Sequence, residues 1–219
     1  MTSELPFTNR RYLDAIEERV LIYDGAMGTS IQALNLTAED FGGERTNGCN
    51  DYLVITRPDV IRAIHASFPE VGSEVIETDT FRSNRLTLAE YGLQDRVHEI
   101  NLAAARLARE VADEFEAQTG IERFVAGSMG PSGKLPSSDD PDLSNITFDE
   151  LADIFAEQAR GLVEGGVDVL LLETSQDILE VRAAVAGIWR YFEQEGVRIP
   201  LQVQITLDTS GRMLFGTEI

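Results

Sequence analysis

A chain of 219 residues, 43% hydrophobic and 26% charged, carries enough apolar material for one folded core and fits one domain better than two. Its 38 acidic residues against 18 basic ones give a formal net charge of −20, a surface that repels nucleic acid and anionic membranes, so neither is expected as a partner. No apolar run approaches the ~20 residues of a membrane span, a single cysteine rules out an internal disulfide, and the N-terminus shows no secretory h-region; a cytoplasmic location is the expectation.

In chain order, Val20–Tyr23 is short, apolar and partly β-branched, and reads as a first strand ending in Asp24-Gly25-Ala26-Met27-Gly28-Thr29. A helix is predicted over Pro58–Phe68, with Val60, Ile61, Ile64 and Phe68 on one face and Thr56 as its cap. Glu74–Thr78 reads as a second strand and Asp95–Glu116 as a long alanine-rich helix. Phe124–Gly127 reads as a third strand, followed by an aperiodic loop over Ser128–Asn145. Thr147 and Glu150 form a capping-box pair for a helix running to Gly165-Gly166. Val167–Leu172 is a near-continuous apolar run, as expected of a parallel strand covered on both faces. Asp177 or Ser175 then caps a helix carrying Ile178, Val181, Val185 and Ile188, and Leu201–Thr206 reads as the last strand.

Five strands alternating with four helices predict a parallel α/β sheet. Five such units do not close an eight-stranded barrel, and the outer strands would each present an unpaired edge. Three solutions follow: further units beyond Ile219, a complementary chain, or an open sheet. In each case the chemistry is expected at the C-terminal ends of the strands.

Four turns lie there. The glycines of Asp24–Thr29 let a backbone approach a ligand and offer amides to a carboxylate or phosphate, though the segment is neither a Walker loop nor G-x-G-x-x-G, and a purely structural turn explains it equally well. The hydroxyls and carboxylates of Glu77–Phe81 could hold a small polar substrate or form an Asx turn. The Gly127–Gly133 turn, with Gly130 at its centre, could wall a pocket. Glu173, directly after the most apolar strand, needs a partner if buried, and a ligand ammonium group is one candidate. Cys49 lies in a polar loop without a second cysteine or a nearby histidine, and His65 and His98 read as packing or surface residues, so no metal site and no catalytic triad emerge.

Taken in order, DGAMGT, ETDTF, GSMGPSG, LLLETSQDILE and TLDTSGR resemble the homocysteine S-methyltransferase family, and in particular the homocysteine-binding domain of cobalamin-dependent methionine synthases. The likeness runs from about Arg19 to Gly216 and divides the chain into an extension, residues 1–18, and the N-terminal portion of the barrel domain, residues 19–219. The resemblance implies a (β/α)8 barrel of which this chain supplies about five units, binding homocysteine at its strand ends. It implies that the Gly25-Ala26 region, within Asp24–Gly28, offers amides to the substrate carboxylate, that Glu173 receives the ammonium group, and that Thr78, Thr80 and Gly130 line the pocket. It also implies zinc, which lowers the thiol pKa, with cobalamin and folate carried by other modules of the complete enzyme.

The family's zinc thiolates come from a cysteine after the sixth strand and a Cys-Cys pair near the end of the barrel. Neither segment is present here and Cys49 matches none of the three, so no catalytic or metal residue is expected in this chain. The family's Thr-Asn-Thr-Phe reads Thr78-Asp79-Thr80-Phe81 here, which adds a negative charge. Two rival expectations stand beside this one: a non-catalytic split or truncated subunit needing a complementary chain, and an unrelated barrel or open-sheet enzyme holding phosphate on DGAMGT.

Overall fold

The computed structural model describes residues 5–218. Strands β1 (Val75–Glu77), β2 (Phe124–Met129), β3 (Val169–Ser175) and β4 (Leu201–Ile205) pair in parallel and in sequence order. The helices, in chain order, are α1 (Arg11–Glu18), α2 (Met27–Ala33), α3 (Leu53–Thr56), α4 (Pro58–Ser67), α5 (Arg85–Ala89), α6 (Val97–Thr119), α7 (Pro141–Ser144), α8 (Phe148–Glu164) and α9 (Ile178–Glu195). A doubly wound sheet reverses its strand order part-way, whereas staves laid down one after another are the pattern of a barrel.

The sheet is curled. The Tyr12 hydroxyl of α1 donates to Gln202 Oε1 of β4 at 2.6 Å and accepts at 2.6 Å from the hydroxyl of Tyr23, beside β1, which itself lies 3.2 Å from Gln202 Oε1. Laid flat, four strand spacings of about 4.8 Å would hold Tyr23 and β4 roughly 19 Å apart. Alternate strand residues divide accordingly. Val75, Phe124, Ala126, Val169 and Leu171 face inward onto Tyr12 and Ala15, while Ile76, Val125, Leu170 and Leu172 face the helix layer. Helix α1, inside the segment expected as an extension, therefore plugs the inner face.

The predicted first strand reduces to a single bridge, Tyr23 to Val75. Its backbone does run along β1, with Ile22 O accepting from Glu74 N and Val75 N at 2.7 and 3.1 Å. It has a partner along one edge only, and Val20 and Ile22 stay exposed, so no ladder extends beyond the bridge. The predicted cap of α4 is also displaced. Arg57 is the N-cap and makes no side-chain cap bond, while the Thr56 hydroxyl turns back to Tyr52 O.

The other helix starts follow their local chemistry. Thr147 and Glu150 form the full capping box of α8. Asp177 caps α9 through Leu179 N at 2.9 Å and also accepts from Ser137 N at 2.7 Å, tying the long loop after β2 to α9. Helix α8 packs tightly on both neighbours: a Cβ on Gly165 would lie 2.4 Å from Ala105 Cβ of α6, and one on Gly187 of α9 would lie 1.9 Å from Ala152 O of α8. Among the described residues no helix is long and apolar enough to cross a membrane.

Candidate functional site

A cavity of about 390 Å³ opens at the C-terminal ends of the strands. Its walls come from the loop after Tyr23, the turns after β1 and β2, the end of β3, and the Gly48–Asp51 segment ahead of α3. Of the residues singled out by sequence, Asp24, Gly25, Ala26, Met27, Gly28, Thr78 and Glu173 line it together. Thr80 and Gly130 do not. The Thr80 hydroxyl is fully enclosed and donates to Ser128 O at 2.7 Å. Gly130 sits against Phe81, where a Cβ would come within 2.5 Å of Phe81 O.

Two backbone distortions shape the mouth. Ala26 adopts φ 55° at the start of α2, and Thr174, a β-branched residue, adopts φ 57° where the β3–β4 register slips between Leu172 and Ser175. L-residues with such φ values are strained, a β-branched one most of all. The slip at Thr174 interrupts the pairing of β3 with β4 beside Glu173. A Cβ on Gly25 would meet nothing within 4 Å, so the protein itself leaves that backbone open.

Glu173 Oε1 accepts from the Ser128 hydroxyl at 2.5 Å. Asp24 Oδ1 accepts from Glu77 N at 3.0 Å. Burial pushes the Asp24 carboxyl up to about 7, with the charge on Glu173 adding to it against the lowering effect of backbone hydrogen bonds. Burial likewise pushes Glu77 up to about 8, helped by Glu173 and Asp24. At neutral pH these two carboxyls thus hold protons for much of the time, facing the charge of Glu173.

Sequence reasoning did not reach the far wall. Cys49 was expected in a polar loop; it is buried, and burial with the charge of Asp51 pushes its thiol up to about 12, so it is a neutral wall residue. Asp51 accepts from Arg82 N at 2.9 Å and the Ser83 hydroxyl at 3.0 Å, which ties the Gly48–Asp51 segment to the turn after β1. Asp79, buried beside Asp51, leaves Oδ2 enclosed without a partner, and burial first, then Asp51, holds its carboxyl well above the usual carboxylate range. Only the extra acid at position 79 was visible beforehand. The contacts of Asp51 span more than 30 residues and leave no local pattern.

Among the described residues, no three His, Cys, Asp or Glu side chains come together to hold a metal ion. Cys49 is the one cysteine, and the fully buried His65 has neither ring nitrogen bonded. These residues do not make a zinc site, and what they can do is bind and orient a small polar molecule.

The family model of homocysteine S-methyltransferases matches residues 21–219. The chain belongs to the homocysteine S-methyltransferase family. Within it, the chain is 41% identical over 207 residues to the methionine synthase of Mycobacterium tuberculosis, and equally so to that of Mycobacterium leprae, each match covering 94% of this chain. It spans 17% and 16% of the length of those relatives. Its fold is similar to that of the homocysteine methyltransferase MmuM from Escherichia coli in the metallated form, with a TM-score of 0.74, 19% identity, and coverage of 95% of this chain and 70% of that one. The apo form of that enzyme matches with a TM-score of 0.66. The curled, sequentially ordered sheet is thus part of a (β/α)8 barrel, and the cavity lies at the strand ends where this fold carries its sites.

Proposed function

We propose that this chain is the homocysteine-holding part of a methionine synthase, which transfers a methyl group to the homocysteine sulfur to make methionine. The observation that carries this reading is the placement of Glu173 in one cavity with the open backbone of Gly25 and Ala26. Among the described residues no cation pairs with Glu173, so a ligand ammonium group is a natural counter-charge, while the loop amides offer hydrogen bonds to a carboxylate. Protonated Asp24 and Glu77 limit the anionic charge around the bound amino acid.

The cavity wall contains Asp24, Asp51, Glu77, Asp79 and Glu173 against one guanidinium, Arg82, itself paired with Glu90. That balance disfavours the rival phosphate reading. On this reading the zinc ligands, the cobalamin and folate modules and the remaining barrel units belong to other parts of the complete enzyme. The exposed apolar side chains of Val203, Leu207, Leu214 and Phe215, on and beyond β4, support further units packing there.

Calorimetric titration of the intact protein with L-homocysteine tests the proposal. Wild type should bind, and Glu173→Gln should weaken binding by about 10- to 100-fold, the worth of a charge-assisted hydrogen bond. Equal affinity in the two proteins would sink it.

A further inference from the structure

We propose that Ser128 is a positioning residue for Glu173, held in place by a closed ring of hydrogen bonds through Thr78 and Thr80; this rests on the homocysteine reading above. Ser128 lies in β2, nine-tenths or more buried, and its hydroxyl reaches Glu173 Oε1 at 2.5 Å. The carboxylate can only accept, so the serine must donate.

The hydrogens of the surrounding groups can then be assigned. Ser128 N donates to Thr78 Oγ1 at 3.0 Å, which leaves the Thr78 proton free for Thr80 Oγ1 at 2.6 Å. The Thr80 hydroxyl donates to Ser128 O at 2.7 Å, closing the ring. Gln158 of α8 donates to Thr80 O at 2.8 Å and fixes the ring to the helix layer. Every hydroxyl in the ring has its proton used, so the Ser128 side chain is the only group of the three pointing its donor at Glu173.

The geometry has two consequences. Thr80, which cannot reach the cavity, acts on the ligand through Ser128. Ser128 also occupies one oxygen of Glu173, leaving the other for the ligand ammonium. The titratable groups that face Glu173 are Asp24 and Glu77, and among the described residues the Ser128 hydroxyl is the side chain that hydrogen-bonds to it.

The experiment compares two ligands on the intact protein: L-homocysteine and 4-mercaptobutanoate, which has the same chain without the ammonium group. Ser128→Ala should lower homocysteine affinity about tenfold and leave 4-mercaptobutanoate within about twofold. Thr80→Val, which breaks the ring but keeps the serine, should reproduce the same ligand selectivity with a loss of about threefold, and it decides the matter if Ser128→Ala does not fold. Parallel losses for both ligands, or no loss for either, overturn the positioning role. A wild type that does not prefer homocysteine over 4-mercaptobutanoate overturns the homocysteine reading itself, and the inference with it.

Discussion

The two ends of the barrel bury carboxylates under opposite terms. At the floor, Asp168 precedes β3 and is completely matched: Oδ1 accepts from Asn9 at 2.9 Å, and Oδ2 accepts from Arg109 at 2.7 Å and from Val125 N at 2.9 Å. At the mouth, Asp24 and Glu77 are half-buried and Asp79 is buried, no cation among the described residues is bonded to any of them, and Asp79 Oδ2 has no partner there. The same chain that satisfies one buried acid completely leaves a group of others short. A buried carboxylate that the protein pairs fully stays charged and holds the fold together; carboxyls left short take up protons instead and keep polar groups available at the mouth, at a cost in stability.

The largest effect expected from this contrast is at the floor. Asp168→Ala removes the buried partner of Arg109, which keeps only Asp113 and Arg123 O, and leaves Val125 N and the Asn9 amide unmatched; it should destabilise the protein by about 3–5 kcal/mol, as for other broken buried ion pairs. Chemical denaturation measures it, and a loss below about 1 kcal/mol would mean that water or the remaining helix acids replace the aspartate easily. The mouth should behave in the opposite way.

There the sign follows from the raised carboxyls. Asp24 and Glu77 bind protons more tightly folded, at about 7 and about 8, than unfolded. Their contribution to stability is full below the unfolded values near 4 and is lost as pH rises through 7 to 8. A rise of three units corresponds to about 4 kcal/mol for one group, an upper bound because the pair and Glu173 titrate together. His65 works in the other direction: burial holds it down to about 4, so its contribution is present above about 6.5 and lost as pH falls through 4. Unfolding midpoints should therefore fall as pH rises from about 6.5, where His65 contributes fully, to about 8, and Asp24→Asn with Glu77→Gln should flatten that fall while the His65 loss below about 6.5 remains. An unchanged slope in the double variant would show that the mouth carboxyls are solvated after all.

How much of this contrast was legible in the sequence differs between the two ends. The strand cores and the long helices announce themselves through apolar runs and caps, as Val167–Leu172, Thr147 and Asp177 show. Asp168 itself read as an interruption of an apolar run, because the groups that satisfy it come from α1's approach, α6 and β2, none of them near in sequence. At the mouth, the glycine loop, Thr78 and Glu173 were legible from turn chemistry at strand ends. Cys49, Asp51 and Ser128 were not: the first two sit in an aperiodic excursion, and Ser128 looks like one more small residue in a flexible loop until β2 is seen to continue through Met129. Helices α1, α2 and α5 escaped for a related reason, since they are short and their apolar faces are completed by distant partners.

The smallest effect tests the strain beside Glu173. A left-handed φ costs an L-residue about 1–2 kcal/mol, while glycine costs about 0.5–1 kcal/mol in the unfolded chain. Thr174→Gly should therefore change stability little, with a net gain of about 0.5 kcal/mol at most sites of this kind. The same change frees the backbone that aims Glu173, so homocysteine affinity should fall about three- to fivefold, a loss of under about 1 kcal/mol. Stability and binding moving in opposite directions is the signature of strain kept for function. If glycine at this position lowers both together, Thr174 packs the end of β3 and the φ of 57° is incidental to the site.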